Sequence, residues 1–252
     1  MILWLKNPRW LPLHLLTGGV FLTVLCTFAL QSVAYQWDFH AVWQYRAKFA
    51  AGLGRTVGLA SASLLLSSAF GVLTALLRRS GWMPLRALAI LYTELIRSTP
   101  LLVQILLLFY GVANAAGLQN RFVAGVLILS LFAGAYISEI VRAGIEGIPQ
   151  TQLESARSLG FTPLQTYRFV ILPQALRQIL PPMTGQFISL IKDSSLLSII
   201  GVQELTQSAQ EINSYTYSTL ESYLPLALGY LLLTFPLSML AHRLEQRMRY
   251  GS

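Results

Sequence analysis

The chain has 252 residues, of which 54% are hydrophobic and only 11% charged, with a formal net charge of +8. Together with a mean hydropathy of +0.57, this is too apolar and too charge-poor for a soluble domain, and it describes a polytopic membrane protein. The basic residues are scattered between apolar runs and form no aromatic-interleaved stripe, which argues against a nucleic-acid partner, and the one cysteine, Cys26, leaves no disulfide framework or cysteine-based metal site.

Met1 to Trp10 carries Lys6 and Arg9 and precedes an apolar run over 11–34. Ser32-Val33-Ala34 would serve as a cleavage site, but the run exceeds the ~7–15 residue apolar core of a signal peptide, so it is expected to be a retained first span. Tyr35 to Lys48 holds Trp37, Asp38, His40, Trp43 and Tyr45, the aromatic and mildly polar mix of a membrane interface. His14, His40 and His242 are isolated and are expected at interfaces or the surface, not as ligands. Further spans are expected over about 52–77, 87–112, 122–145, 174–200 and 223–241, with a polar, external segment over 203–222. Each is near or above the ~20 residues needed to cross a bilayer. The second span is rich in Gly, Ala and Ser, which let helices approach closely in lipid.

Loop charge sets the orientation. With alternating spans, Lys6, Arg9, Arg78, Arg79, Arg86, Arg157, Arg168, Arg177, Arg243, Arg247 and Arg249 fall on one side, and Arg46, Lys48 and Arg121 on the other. The first side is expected to be cytoplasmic, together with both termini. None of the three lysines, Lys6, Lys48 and Lys192, sits in a GxxxxGK[ST] phosphate loop. No Ser/His/Asp arrangement or metal-ligand cluster is evident, so any ATP-driven step needs a separate ATPase.

Four stretches carry the polar chemistry. The first, Glu154 to Pro173, reads ESARSLGFTPLQTYRFVILP and lies between long apolar runs. Thr151, Gln152 and Glu154 open a helix that Gly160 can close in the left-handed conformation. A second helix can start at Thr162-Pro163, where proline suits a first turn. Two helices meeting at a glycine form an elbow able to pass a push into the spans it joins; an amphipathic linker lying on the membrane surface is the plainer reading. The other three stretches place charge inside spans, where it is costly and points to function. YTELIRSTPLLVQ sets Glu94 and Arg97 at i, i+3, followed by Pro100 and, a turn later, Gln104. GAYISEIVRAGI sets Glu139 and Arg142 at the same spacing. GQFISLIKDSSLLSIIG carries Gln186, Lys192, Asp193, Ser194 and Ser195 near mid-membrane, with Gln186, Ser189 and Asp193 on one helical face.

Glu154, Ala156, Gly160 and Leu172-Pro173 are spaced as in the EAA loop of ABC importer permeases, with Ser155 where that family usually has Ala. The three intramembrane stretches resemble those of polar amino-acid ABC permeases, which run close to ELFRGTPLLVQ, GAYxAExxRGxI and NxFISLxKDTSLxSVIG. Ser98 stands for Gly, Ser138 for Ala, Ser194 for Thr, and Gln186 lies in the Asn-like region. The likeness runs from about Gly52 to Arg247.

This resemblance implies an all-α, type I ABC importer transmembrane fold: a five-helix core over 51–250 with a coupling loop at 149–173, preceded over 1–50 by one extra transmembrane helix and an interfacial segment. It implies a multi-pass permease of a bacterial cytoplasmic (inner) membrane, importing polar amino acids and paired with a second permease chain, identical or not. Two ATPase subunits would bind ATP and Mg, leaving no cofactor in this chain, and a substrate-binding protein would deliver the cargo. Glu154, Ser155, Ala156, Gly160, Leu172 and Pro173 would contact the ATPase. A zwitterionic substrate wants a cation and an acceptor. Lys192 and Asp193 offer both, with Gln186, Ser194 and Ser195 for orientation, unless the two charges pair with neighbouring helices instead. Glu94, Arg97, Glu139 and Arg142 would form an ion network or gate, with direct substrate contact as the alternative, and Gln104 would line the pathway. An ATP-independent secondary transporter or channel is the competing reading.

Overall fold

The computed structural model describes residues 37–249 together with residues 19, 20, 23, 24 and 27. The chain forms two compact units, Met1–Phe39 and His40–Ser252. In the first, the described residues of the expected 11–34 span are helical, with Thr23 and Thr27 donating hydroxyl hydrogen bonds to the carbonyls of Gly19 and Thr23 at 2.8 and 2.9 Å. The rest of that span, with its cleavage site and Cys26, lies outside the described residues.

Among the described residues every regular element is helical. The order is α1 (Phe39–Trp43), α2 (Arg46–Leu77), α3 (Met83–Arg97), α4 (Leu101–Leu106), α5 (Arg121–Glu146), α6 (Gln150–Ser158), α7 (Pro163–Thr166), α8 (Leu172–Asp193), α9 (Leu205–Thr216) and α10 (Thr219–Arg249). A π-helical stretch, Leu107–Ala113, prolongs α4; another, Tyr167–Ile171, joins α7 to α8; and a 3₁₀ stretch, Ser194–Ile200, prolongs α8. Three described helices are long and apolar enough to cross a bilayer: Arg46–Leu77, Arg121–Glu146 and Thr219–Arg243.

The core is the pair α2 and α5, against which α8, α3 and α9 pack, with α10 on the outer side of α8 and α9. Little hydrophobic force separates helix from lipid, so close backbone approach matters here. Gly71 supplies it: a Cβ there would overlap the Ile137 side chain and come within 3.0 Å of the Gly134 carbonyl. One turn from this contact, buried serines stitch the same interface, Ser130 Oγ donating to Ser63 O at 3.4 Å and Ser63 Oγ to Val126 O at 3.4 Å. Asn120 caps α5, accepting from the backbone N–H groups of Phe122 and Val123 at 3.0 and 3.2 Å.

Three expectations need correction. The stretch expected as one span over 87–112 is broken: α3 stops at Arg97, and the chain turns by 113° before α4. Pro100 has no N–H to continue the ladder and pushes Thr99 out of the helical region, so the break falls where steric rules put it. The segment over 203–222, expected to be polar and external, is largely helical and partly packed inside, with Glu204, Ser208, Glu221 and Ser222 buried. Its polar residues are divided between the packed side and the surface, where Gln203, Gln210 and Ser214 are exposed. Finally, α2 begins at Arg46, six residues before the expected start, so Arg46 and Lys48 lie on the helix itself.

Candidate functional site

The elbow is built from local signals. Helix α6 ends in paired backbone bonds from Gly160 N to Arg157 O at 2.9 Å and from Phe161 N to Ala156 O at 3.0 Å. This Schellman ending requires a left-handed residue, and Gly160 has φ +77°. Two residues on, Thr162 and Gln165 form a capping box, the Thr162 N–H donating to Gln165 Oε1 at 2.8 Å and the Gln165 N–H to Thr162 Oγ1 at 3.4 Å. Pro163 follows at the first helical position. Helix α7 then runs through the π turn into α8 without a loop, placing Leu172 and Pro173 in the first turn of α8.

Glu154 and Ser155 are exposed on α6, while Ala156 is buried. Sequence reasoning missed a further feature: Leu159 and Leu164 stand 75% and 76% exposed on either side of Gly160, with Phe169 exposed beyond them. The two leucines thus flank the bend at Gly160 with their side chains uncovered.

Above the elbow lies a charge cluster. Arg78, at the end of α2, donates to Glu139 Oε2 at 2.8 Å. Arg142 grips the same carboxylate through its Nε, 3.1 Å from each oxygen, and also pairs with Glu146. Arg97 at the end of α3 lies 3.7 Å from Glu139 and 5.8 Å from the Tyr136 ring centre. One carboxylate thus holds arginines from α2, α3 and α5 together. The cluster borders a cavity of about 290 Å³ lined by Glu139, Ile140, Ala143, Gly144, Gln178 and Pro182. Arg78 was read in the sequence only as a topological charge. Glu94 stands exposed on α3, and the ion pair of Arg97 goes to Glu139 instead.

Gln104 is buried at the α3–α4 break. Its amide N–H groups donate to Ile96 O at 2.7 Å, to Thr99 O at 3.0 Å and to Thr99 Oγ1 at 2.7 Å. The side chain therefore satisfies the Ile96 carbonyl, which Pro100, lacking an N–H, leaves without its helical partner.

The third group sits where α8 passes into the 3₁₀ turn. Gln186, Asp193 and Ser195 are half-buried and Lys192 is exposed, while Ser194 is buried with its Oγ donating to Ile191 O at 2.7 Å. No described side chain forms an ion pair with Lys192 or Asp193. Pro182, beside Glu139, and Lys192 are ten residues apart on α8, about 15 Å. The structure therefore keeps the two polar groups in separate layers.

Sequence reasoning missed Glu204, which is fully buried at the N-terminus of α9. Its carboxylate accepts from Thr206 N and Gln207 N, both at 2.8 Å, and from the Tyr230 hydroxyl on α10 at 2.9 Å. Burial raises its pKa, against the opposing pull of the two backbone N–H groups. The sequence signal was there in the form of an acidic residue immediately before a helix.

The sequence matches the family described as binding-protein-dependent transport system inner membrane component over residues 67–250. It is 38% identical over 191 residues to the probable glutamine ABC transporter permease protein GlnM of Bacillus subtilis, covering 75% of this chain and 88% of the relative. It is 35% identical over 216 residues to the glutamine transport system permease protein GlnP of Escherichia coli, covering 85% and 99%, and 40% identical over 198 residues to the L-cystine transport system permease protein TcyB of Bacillus subtilis, covering 78% and 85%. Among solved structures, an amino acid ABC transporter with histidines superposes with a TM-score of 0.80 at 38% identity, covering 84% of this chain and all of that one. The MetNI methionine ABC transporter shares the fold, with a TM-score of 0.68 at 20% identity over 81% and 98%. With the broken third span, the glycine elbow and the α2–α5 core all in place, the chain belongs to the inner-membrane permease family of binding-protein-dependent ABC importers and has their type I transmembrane fold.

Proposed function

We propose that this permease subunit imports polar amino acids and is driven through the α6–α7 elbow by a separate ATPase subunit. The observation that carries the coupling reading is the elbow itself: two capped helices locked at Gly160 and presenting Leu159 and Leu164 outward. Two permease chains, identical or not, would enclose the path. Two ATPase subunits holding ATP and Mg would dock on the elbows, and a soluble binding protein would deliver the substrate on the opposite face. The elbow end and both chain termini are cytoplasmic in this reading. The basic residues Arg78, Arg79, Arg86 and Arg157, in and beside the connections at that end, support this orientation by the excess of positive charge expected on the cytoplasmic side. Residues 51–250 form the permease domain, and residues 1–50 contribute the added span and interfacial segment.

The substrate's carboxylate and ammonium would meet Lys192 and Asp193, the charges left unpaired by the described residues, with Gln186, Ser194 and Ser195 orienting it. Glu139, with Arg78, Arg97 and Arg142, would act as the inner gate: its ion pairs close three helix ends together, and ATP-driven movement of the elbow would separate them. Glu94 and Gln104 line the flank of this path, Gln104 by holding the α3–α4 bend. Glu154 and Gly160 are the contacts on which transmission depends.

The test is uptake and ATP hydrolysis measured together in proteoliposomes containing the assembled complex. Glu154→Arg and Gly160→Val are expected to hydrolyse ATP without accumulating amino acid. Coupled uptake at wild-type rate in both would overturn the coupling role, and uptake without any ATPase would favour a secondary transporter.

A further inference from the structure

A second cavity lies at the far end of the bundle from the elbow. It has a volume of about 420 Å³ and is lined by Arg55, Gln119, Asn120, Arg121, Phe122, Gly201, Val202 and Gln203. Arg55 comes from the third turn of α2 and Arg121 from the start of α5, so two guanidinium groups converge on one opening. Arg55 Nη1 donates to Gln203 Oε1 at 2.6 Å and to Gln203 O at 3.4 Å, which aims the group without neutralising it. The Arg121 guanidinium lies against Gly201.

No carboxylate lines the cavity, and no described carboxylate pairs with either arginine. The acids of this end are committed elsewhere. Glu204 and Glu221 are buried, and Glu211, whose field reaches Arg55, is held by Lys48 and Gln207. Basic residues are also disfavoured at the external ends of membrane helices, and neither arginine has an ion-pair partner among the described residues, so their presence needs a cause. Arg presents a planar fork suited to carboxylates, and the amides of Gln119, Asn120 and Gln203 around the rim supply further hydrogen-bonding groups.

We propose that the Arg55–Arg121 cavity is the anchor for an acidic side chain of the soluble binding protein, fixing where that protein docks on the external face. This rests on the importer reading above. A protein carboxylate suits the site better than a lipid phosphate because the amide side chains of Gln119, Asn120 and Gln203 border the two guanidinium groups at the helix ends, with Phe122 and Val202 beside them.

The experiment uses the permease–ATPase complex in nanodiscs of neutral lipid, and again with anionic lipid added. The probe is the amino-acid-binding protein that stimulates ATP hydrolysis by the wild-type complex. R55Q/R121Q and R55E/R121E are compared with wild type after copurification of the ATPase confirms assembly. The half-saturating concentration of binding protein is expected to rise about tenfold in the first variant and more in the second, its salt dependence to flatten, and the rate at saturation to stay put. A Lys introduced at the matching acidic position of the binding protein should restore affinity in R55E/R121E. Unchanged half-saturation and salt dependence would overturn the anchor while leaving the importer reading intact. A loss that appears only with anionic lipid would assign the cavity to headgroups and overturn it too. If no binding protein stimulates the wild-type complex, the importer reading itself fails.

Discussion

Arg78 and Glu139 meet at 2.8 Å although 61 residues separate them in sequence. The bond ties the end of α2 to α5 at the layer where Arg142 and Arg97 also converge. Because Glu139 serves three arginines and Arg78 only one carboxylate, the two ends of the bond should differ in cost. Glu139→Gln is expected to lower stability by about 1–3 kcal/mol, since it leaves half-buried guanidinium groups uncompensated. Arg78→Gln should cost less, because Arg142 still holds Glu139. Thermal unfolding of the two variants in detergent checks the order.

Gly160 separates strain from transmission. With φ +77° and nothing within 4 Å of the place a Cβ would occupy, a side chain there meets no neighbour but does meet backbone strain. Gly160→Asn is expected to retain most coupling, because Asn tolerates the left-handed region, while Gly160→Val loses it. Each should change overall stability by only about 1–2 kcal/mol. The ratio of amino acid moved to ATP hydrolysed reads the first effect, and unfolding of the isolated chain reads the second.

Gly71 makes the opposite case. Gly71→Leu drives a branched chain into Ile137 and the Gly134 carbonyl. A loss of about 2 kcal/mol or more is expected, with poor recovery from membranes. Gly54, with no neighbour at its Cβ position, is the control: Gly54→Ala should be recovered at wild-type yield.

At the other end of the bundle, Lys48 holds Glu211 and lowers its pKa below the ordinary carboxylate range. A lowered folded-state value means that the pair stabilises at and above neutral pH and that its contribution disappears as pH falls through the folded value. Wild type should therefore exceed Lys48→Met by no more than about 1 kcal/mol at pH near 7, with the difference lost as pH falls through the lowered folded-state value of Glu211. Unfolding profiles of the two proteins across that range give the answer.

What could be read in advance was local. The elbow rests on a C-terminal glycine, a Thr-Pro start and a Gln three residues on, all within twelve residues, so Glu154 to Gln165 was legible before any packing was known. Glu139 and Arg142 were legible for the same reason, being one turn apart. The interruption at Pro100 was legible, since proline cannot continue the backbone ladder, but the 113° turn that makes two helices of the third span was not, because hydropathy averages across the break. Arg78 and Glu204 were not legible as members of a cluster: their partners, Glu139 and Tyr230, are chosen by tertiary packing. The leucines at 159 and 164 were hidden by their ordinary identity, since nothing in a leucine announces that it will be left uncovered.

The π-helical turn at Tyr167–Ile171 carries one more residue per turn than its neighbours. An α-helix advances by about 100° for each residue, so that surplus residue sets the angular phase between the elbow and everything downstream on α8. Removing one residue there would leave α7 and α8 joined but would screw the Lys192–Asp193 face about a quarter-turn away from its present bearing. The single insertion thus fixes the angular relation between the elbow and the Lys192–Asp193 face of α8.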